Sequence, residues 1–409
     1  MDDRQWNEVS LGDVVNLKRG YDLPAQDRIS GHYPVVSSSG FTGTHEVPKV
    51  EPPGVVTGRY GTLGKVYFVD EPFWPLNTTL YVQDFKGNDP RYVAYLLESL
   101  DLSGLVASAA VPGINRNHLH PLRVRIPEVT LQQKLAGMVS VFDRLIENNR
   151  RRIWILEDMA RLVYREWFIY FRFPSHESVK IVDSDLGRIP ARWEVSSLEH
   201  LQAATPNATA AGPFGSKLGR KDYVDEPGVP VIRGANLRVG GGFVEDEFIY
   251  VSQQKAETLT SSLARPGDVV VTQRGTLGQV GLIPESATFG EYVLSQSQMK
   301  FTADPNRVDP LVIYMQLADP SGAQRIQDIA TGAGVPHINL TMFREMRFLV
   351  PPRSIQDMFA AKISPLLQLS TSLTRQNRVL TEVRDLLLPR LISGELDLSD
   401  LNLRLERMG

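Results

Sequence analysis

The chain of 409 residues contains no cysteine, which excludes a disulfide framework and any cysteine-based zinc site. No apolar run is long enough to span a bilayer. Met1-Asp2-Asp3-Arg4 lacks the basic and apolar parts of a signal peptide. A cytoplasmic protein without a membrane partner is therefore expected. Charge of one sign is also missing. The net charge is −3, so a nucleic-acid surface would have to come from local basic clusters. Histidine is scarce, with seven residues. His118 and His120 lie close, but no carboxylate or third ligand accompanies them, and no metal site is expected.

Catalytic motifs are absent as well. The Pro-Pro pairs in Glu51-Pro52-Pro53-Gly54 and Val350-Pro351-Pro352-Arg353 lack the acceptor and the aromatic with which DNA amino-methyltransferases hold a flipped base. The stretch from Gly58 to Gly64, followed by Lys65-Val66, has one residue too many for a phosphate-cradling loop and no hydroxyl after the lysine. Neither His-Glu-x-x-His nor a nucleophile elbow occurs. No catalysis and no bound cofactor are expected of this chain. Length suggests two to three domains, and an apolar fraction of 42% lets each bury a core.

What is present is a repeat. Val111-Pro112-Gly113-Ile114-Asn115 returns 224 residues later as Val335-Pro336-His337-Ile338-Asn339. The same offset carries Ile126-Pro127 to Val350-Pro351 and Leu131-Gln132 to Ile355-Gln356. Upstream, Gly61-Thr62-Leu63-Gly64 is matched by Gly275-Thr276-Leu277-Gly278, and Trp6-Asn7-Glu8-Val9-Ser10-Leu11 by Trp193-Glu194-Val195-Ser196-Ser197-Leu198. A duplication of this period means two similar domains, able to act as a covalent dimer with two similar surfaces.

Each copy begins with short β-branched runs bounded by turn residues, such as Gly54-Val55-Val56-Thr57 and Asp268-Val269-Val270-Val271-Thr272. These predict a mixed α+β domain. Each ends in a long amphipathic helix. One stripe runs Leu135, Phe142, Asn149, Leu156, Val163, and its counterpart runs Phe359, Leu366, Leu373, Leu380, Leu387. Met138, Leu145, Ile146, Ile153 and Met159 widen the first stripe; Ile363, Leu369 and Val383 widen the second. Such stripes need a partner helix, and each is the obvious partner of the other. A helix from about Leu131 to Phe168 would be ~57 Å long. Asn149 either fixes register or is an exposed polar residue. Pro365 should kink the second helix or mark its start. The stretch from Pro174 to Pro190 is the best linker.

Polar residues flank the glycines. Thr57-Gly58-Arg59-Tyr60-Gly61-Thr62-Leu63-Gly64-Lys65 aligns with Thr272-Gln273-Arg274-Gly275-Thr276-Leu277-Gly278-Gln279 if one residue is deleted between Arg and Gly. The segment is either a plain hairpin or a loop that brings Arg59, Thr62, Lys65, Arg274, Thr276 and Gln279 to DNA. Ser216 and Lys217 follow Gly212-Pro213-Phe214-Gly215, and Arg233 and Asn236 flank Gly234; the similar place in the first copy holds Lys18-Arg19-Gly20-Tyr21 and Val36-Ser37-Ser38-Ser39-Gly40. Arg116, Asn117, His337 and Asn339 complete the candidate DNA-binding set.

Four segments in order carry a resemblance. They are Leu162-Val163-Tyr164-Arg165-Glu166-Trp167-Phe168, then Leu186-Gly187-Arg188-Ile189-Pro190-Ala191-Arg192-Trp193-Glu194-Val195. Gly212-Pro213-Phe214-Gly215-Ser216 and Leu387-Leu388-Pro389-Arg390-Leu391-Ile392-Ser393-Gly394-Glu395-Leu396 follow. Together they resemble the specificity (S) subunit of type I restriction–modification systems. The family's acidic residue before Gln at each helix start is missing here, while Gln132 and Gln356 remain.

The resemblance implies an α+β protein with two tandem mixed α/β target-recognition domains. Two long helices separate them, packed as an antiparallel coiled coil with pseudo-twofold symmetry. Its parts would be a first recognition domain at 1–128, a central helix at 129–172, a linker at 173–190, a second recognition domain at 191–352, a C-terminal helix at 353–396 and a tail at 397–409. The partners it implies are double-stranded DNA, two copies of a modification (methyltransferase) subunit and a restriction (motor–nuclease) subunit. S-adenosylmethionine, ATP and Mg would belong to those partners. The alternatives are a helical scaffold without sequence-specific DNA binding and, well behind it, a nuclease with an unfamiliar site.

Overall fold

A computed structural model describes residues 6–60, 64–100, 113–225, 228–332 and 334–396. Thr62, Val111, Pro112 and the expected tail from 397 lie outside them. The chain divides into two compact units, the first formed by Met1–Arg150 with Thr374–Gly409 and the second by Arg151–Leu373. Both mix sheet and helix, so the chain is of the α+β class.

In the first unit, strands Asn16–Arg19, Thr79–Asp84, Gly54–Gly58 and Val66–Val69 form an antiparallel sheet in that order. A smaller sheet joins Gly40–His45, Tyr33–Ser37 and Trp74–Pro75. In the second unit, Thr209–Ala211, Gln298–Phe301, Val269–Thr272 and Gln279–Leu282 repeat the four-strand order, and Arg238–Val239 adds a fifth strand. Another five-stranded sheet stands beside it. The buried β-branched runs Val55-Val56 and Val269-Val270-Val271 form central strands, as such residues suit a pleated, covered surface.

Backbone pairing shows how closely one frame is repeated. Asn7 pairs with Ile126, and Glu194 with Val350. Arg19 pairs with Leu80, and Ala211 with Met299. Each unit has a helix opening on Asp-Pro, Pro90–Ser99 and Pro310–Ala318, with the Asp side chain as cap. The retained glutamines explain how the long helices are held at their starts. Gln132 accepts from the Asp89 N–H (3.0 Å) and donates to the Pro127 carbonyl (2.9 Å). Gln356 accepts from the Asp309 N–H (2.8 Å) and donates to the Pro351 carbonyl (2.9 Å). Both are buried. Gln356→Ala strands those two backbone groups and is expected to cost about 1–3 kcal/mol. Chemical denaturation of the full chain measures this, and an unmoved midpoint would refute the staple.

The central helix, Val129–Tyr164, has 36 residues and is about 54 Å long, continuing into a π-turn at Arg165–Ile169. The C-terminal helix, Arg353–Ile392, has 40 residues. Each unit contains a portion of both helices. Of the expected seam, Leu135, Asn149, Phe359 and Leu373 are buried, while Phe142, Leu156, Val163, Leu366, Leu380 and Leu387 are half-buried. The deepest row on the central helix lies four residues on, at Val139, Ile146, Ile153 and Ala160.

Met138, Leu145, Met159, Leu369 and Val383 are exposed, against expectation. At about 100° per residue, a position four along is rotated ~40° from the seam, whereas one three along is rotated ~60° the other way. Within the first unit, Asn149 donates to Gln376 (2.9 Å) and Asn377 (3.0 Å). It is therefore a buried link and not a solvated surface group. Within the second unit, Ser370 donates to Glu157 (3.1 Å).

Pro365 neither starts nor interrupts the C-terminal helix. It lies on the exposed side, where the carbonyl left without an N–H partner is open to water. The expected linker also differs: Ile181–Ser184 and Gly187–Pro190 form an antiparallel hairpin, and Phe173 and Ile189 are buried in the second unit's core.

Candidate nucleic-acid interface

Both glycine segments join antiparallel strands, Gly54–Gly58 to Val66–Val69 and Val269–Thr272 to Gln279–Leu282. Gly64, Gly275 and Gly278 have positive φ (81°, 98° and 91°). The structure removes the deletion from the sequence alignment. The Arg59 carbonyl accepts from the Ile114 N–H (2.9 Å), and the Gln273 carbonyl accepts from the Ile338 N–H (3.0 Å). Arg59 donates to the Asn77 carbonyl (3.0 Å), as Gln273 does to the Gln296 carbonyl (2.8 Å). Gln273, not Arg274, therefore stands where Arg59 stands. Arg274 takes the place of Tyr60, with matching bridges to His337 and Gly113.

The repeated Ile-Asn has one role in both copies. Ile114 and Ile338 are buried. Asn115 caps helix Arg116–Leu119 by accepting from the Asn117 N–H (2.8 Å), and Asn339 caps Leu340–Glu345 by accepting from the Met342 N–H (2.9 Å). Gly20 and Gly212 correspond too. A Cβ would lie 2.2 Å from the Leu76 carbonyl oxygen in the first and 1.8 Å from that of Ser295 in the second. Only glycine lets the backbones approach this closely.

In the first unit these elements surround a depression of about 510 Å³. Lys18, Arg19, Tyr21 and Asp22 come from one strand end, Arg59 from the hairpin, and Asn115, Arg116 and Asn117 from the capped helix. Arg116 and Asn117 are exposed. The Arg59 guanidinium also donates to the Ile114 carbonyl (3.3 Å) and faces the Tyr60 ring. Lys65 is exposed but is not among the lining residues.

At the end of the capped helix, His120 Nε2 accepts from the Leu17 N–H (3.1 Å), so the ring is neutral. Burial first, then the charges of Arg116 and Lys86, hold its pKa below the ordinary 6.5. The folded form takes up the proton later than the unfolded form. Stability present above pH ~6.5 is therefore lost as pH falls towards the folded value. His120→Gln is expected to flatten that dependence in melts between about pH 5 and 8; an equal slope in variant and parent would refute it.

In the second unit the candidates separate. Asn236 is fully buried and holds a loop by donating to the carbonyls of Val244 (3.1 Å) and Asp246 (2.9 Å). Gln279 spends its amide on the carbonyls of Gly234 and Leu237 (both 3.0 Å) and accepts from Thr272 (3.0 Å). Arg233 is tied to the Glu247 carbonyl (2.7 Å). These three brace loops. Ser216, Lys217, Arg274, Thr276 and Asn339 are exposed, and His337 is half-buried.

Phe214, 89% exposed, lies outside the candidate set that the sequence offers. Its loop is pinned by Gln296, which donates to the Gly215 (2.6 Å) and Leu218 (2.9 Å) carbonyls. In the sequence, Lys18 and Arg19 stand out only as neighbours of a glycine. Nothing in the local sequence joins them to Arg59 and Arg116.

The type I restriction modification DNA specificity domain family matches residues 3–157 and again 215–382. The MjaIX type I restriction enzyme specificity subunit of Methanocaldococcus jannaschii is 23% identical, the match covering 80% of this chain and 74% of the relative. The HindI specificity subunit of Haemophilus influenzae is 22% identical, covering 96% and 99%. Among solved structures, a type I restriction–modification S subunit from M. genitalium has the same fold, with a TM-score of 0.61 at 15% identity over 96% of this chain and 97% of that one.

Proposed function

This chain belongs to the type I restriction modification DNA specificity family, and we infer that it is the sequence-specific DNA-recognition subunit of a type I restriction–modification complex. Each α/β unit reads one half of a bipartite, asymmetric target. The observation that carries this is a repeated frame with unlike surfaces. Strand register, asparagine caps and glutamine staples recur. The exposed places on that frame differ, as Tyr60 against Arg274 shows. Groove readout depends on side chains of that kind, held at set positions by a rigid support.

The two long helices form the spacer between the half-targets as an antiparallel coiled coil with pseudo-twofold symmetry. Two modification subunits and a restriction subunit dock on this scaffold. S-adenosylmethionine, ATP and Mg act on those partners, and the present chain supplies recognition. Its DNA contacts come from Arg59, Arg116 and Asn117 in the first unit and from Ser216, Lys217, Arg274, Thr276 and His337 in the second.

The test is methylation mapping of a host carrying this chain with its modification subunit. A two-part methylated-adenine motif with a fixed gap is expected. Mobility shifts that show no preference for any sequence, with or without the modification subunit, would favour a scaffold role instead.

A further inference from the structure

The residues that line the depression of the first unit have counterparts in the second, and the two sets differ in charge. Backbone bonds define the match. Gly20 donates its N–H to the Thr79 carbonyl (3.1 Å), and Gly212 donates to that of Gln298 (2.8 Å). With the paired strands and the asparagine caps, this places Ala210 and Ala211 where Lys18 and Arg19 stand. Gln273 replaces Arg59, Leu340 replaces Arg116 and Phe214 replaces Asp22. The first unit thus collects four cations against one carboxylate around about 510 Å³, and none of these positions is charged in the second.

Arg19 lies 3.6 Å from Asp22 with both side chains largely in water, an arrangement of little energy. Among the described residues no carboxylate is paired with Lys18, Arg59 or Arg116. The Arg59 charge is held in place by two backbone carbonyls, Asn77 and Ile114, which leave it uncancelled. The chain as a whole carries −3, so this concentration of positive charge does not follow from composition.

We propose that the depression takes one backbone phosphate of duplex DNA, and that this anchor belongs to the first unit alone. The inference rests on the DNA-recognition function above. It divides the work between the units: the first half-target is held by charge as well as by its bases, and the second without charge at the corresponding place. A phosphate contact positions the duplex without reading it.

The test compares the full chain with Arg19→Gln/Arg116→Gln, at two exposed residues whose loss leaves the core intact. Fluorescence anisotropy follows binding to a duplex carrying the mapped target, and to a scrambled duplex, at stepped salt. The expected result is a log K against log [salt] slope shallower by about 0.9, weaker binding to both duplexes, and an unchanged ratio between them. An unchanged slope in a chain that still prefers its target overturns the anchor and leaves recognition standing. A collapsed ratio makes these residues base readers and also overturns it. A parent chain with no preference removes both inferences. Inorganic phosphate, titrated by calorimetry, separates the sources of the anion. Tight phosphate binding that the double variant abolishes would mean a small-anion site and not a DNA anchor.

Discussion

Phe359→Ala lowers the stability of the second unit by about 3–5 kcal/mol. The side chain is fully buried, and its ring centroid lies 4.9 Å from that of Phe168 and 5.7 Å from that of Trp167. Phe168 in turn meets Trp193 edge-on at 5.1 Å and stacks on Tyr164 at 5.2 Å. Truncation removes the transfer free energy of a large apolar group and leaves a cavity whose aromatic walls cannot collapse. It also breaks two ring–ring contacts, each worth about 0.5–1.5 kcal/mol. Denaturation followed by tryptophan fluorescence measures the loss, since Trp167 and Trp193 belong to the same cluster. Met358→Ala, on the exposed side of the same helix, should cost little. Equal costs for the two variants would mean that the cluster does not hold the helix.

Arg384→Ala costs the first unit about 2–3 kcal/mol at neutral pH, less than a fully buried pair because the arginine keeps some contact with water. Its guanidinium lies 2.9 Å from Asp143, 2.7 Å from Asp385 and 3.9 Å from Glu98. Burial alone would lower the arginine pKa, but hydrogen bonds to Asp143 and Asp385 and the charge of Glu98 outweigh it, and the group stays charged. Burial raises the Glu98 pKa above the ordinary 4.5 while Arg384 pulls it back. A carboxyl raised on folding contributes stability below its unfolded pKa, and that contribution is lost as pH rises through the folded value. Without Arg384 the Glu98 pKa rises further. The gap between parent and variant should therefore widen from pH ~5 to pH ~8 in thermal melts. A gap that is constant or narrows with pH would show that Arg384 acts through packing alone.

The frame was legible because its signals are local or strictly periodic. Ile114-Asn115 and Ile338-Asn339 stand out because a buried isoleucine beside a capping asparagine has few substitutes. The seam was legible to within one position. Leu135 and Phe359 belong to it, but the choice between positions three and four residues along turns on helix rotation, which apolar spacing resolves poorly. Ser370, Asn377 and Arg384 continue the inward-facing stripe, one buried and two half-buried, with polar groups that erase the apolar signal, their partners being Glu157, the Ile146 carbonyl and Asp143. The site was legible least. Asn236 and Gln279 have the composition of base readers and the bonds of loop braces. The first unit's depression joins residues about a hundred positions apart.

Sequence alone determined the duplication, the α+β class, the two long helices and, through four ordered segments, the family. Each is written in short-range pattern, in spacing set by helix and strand geometry, or in a repeat that can be counted. Tertiary structure alone decided which polar side chains are spent on backbone carbonyls and which remain for a ligand. It also decided that Gln273 answers to Arg59, and that four cations meet in one unit and none at the same place in the other. Those outcomes depend on which atoms come within ~3 Å of one another once strands distant in sequence are paired. No local pattern encodes that proximity.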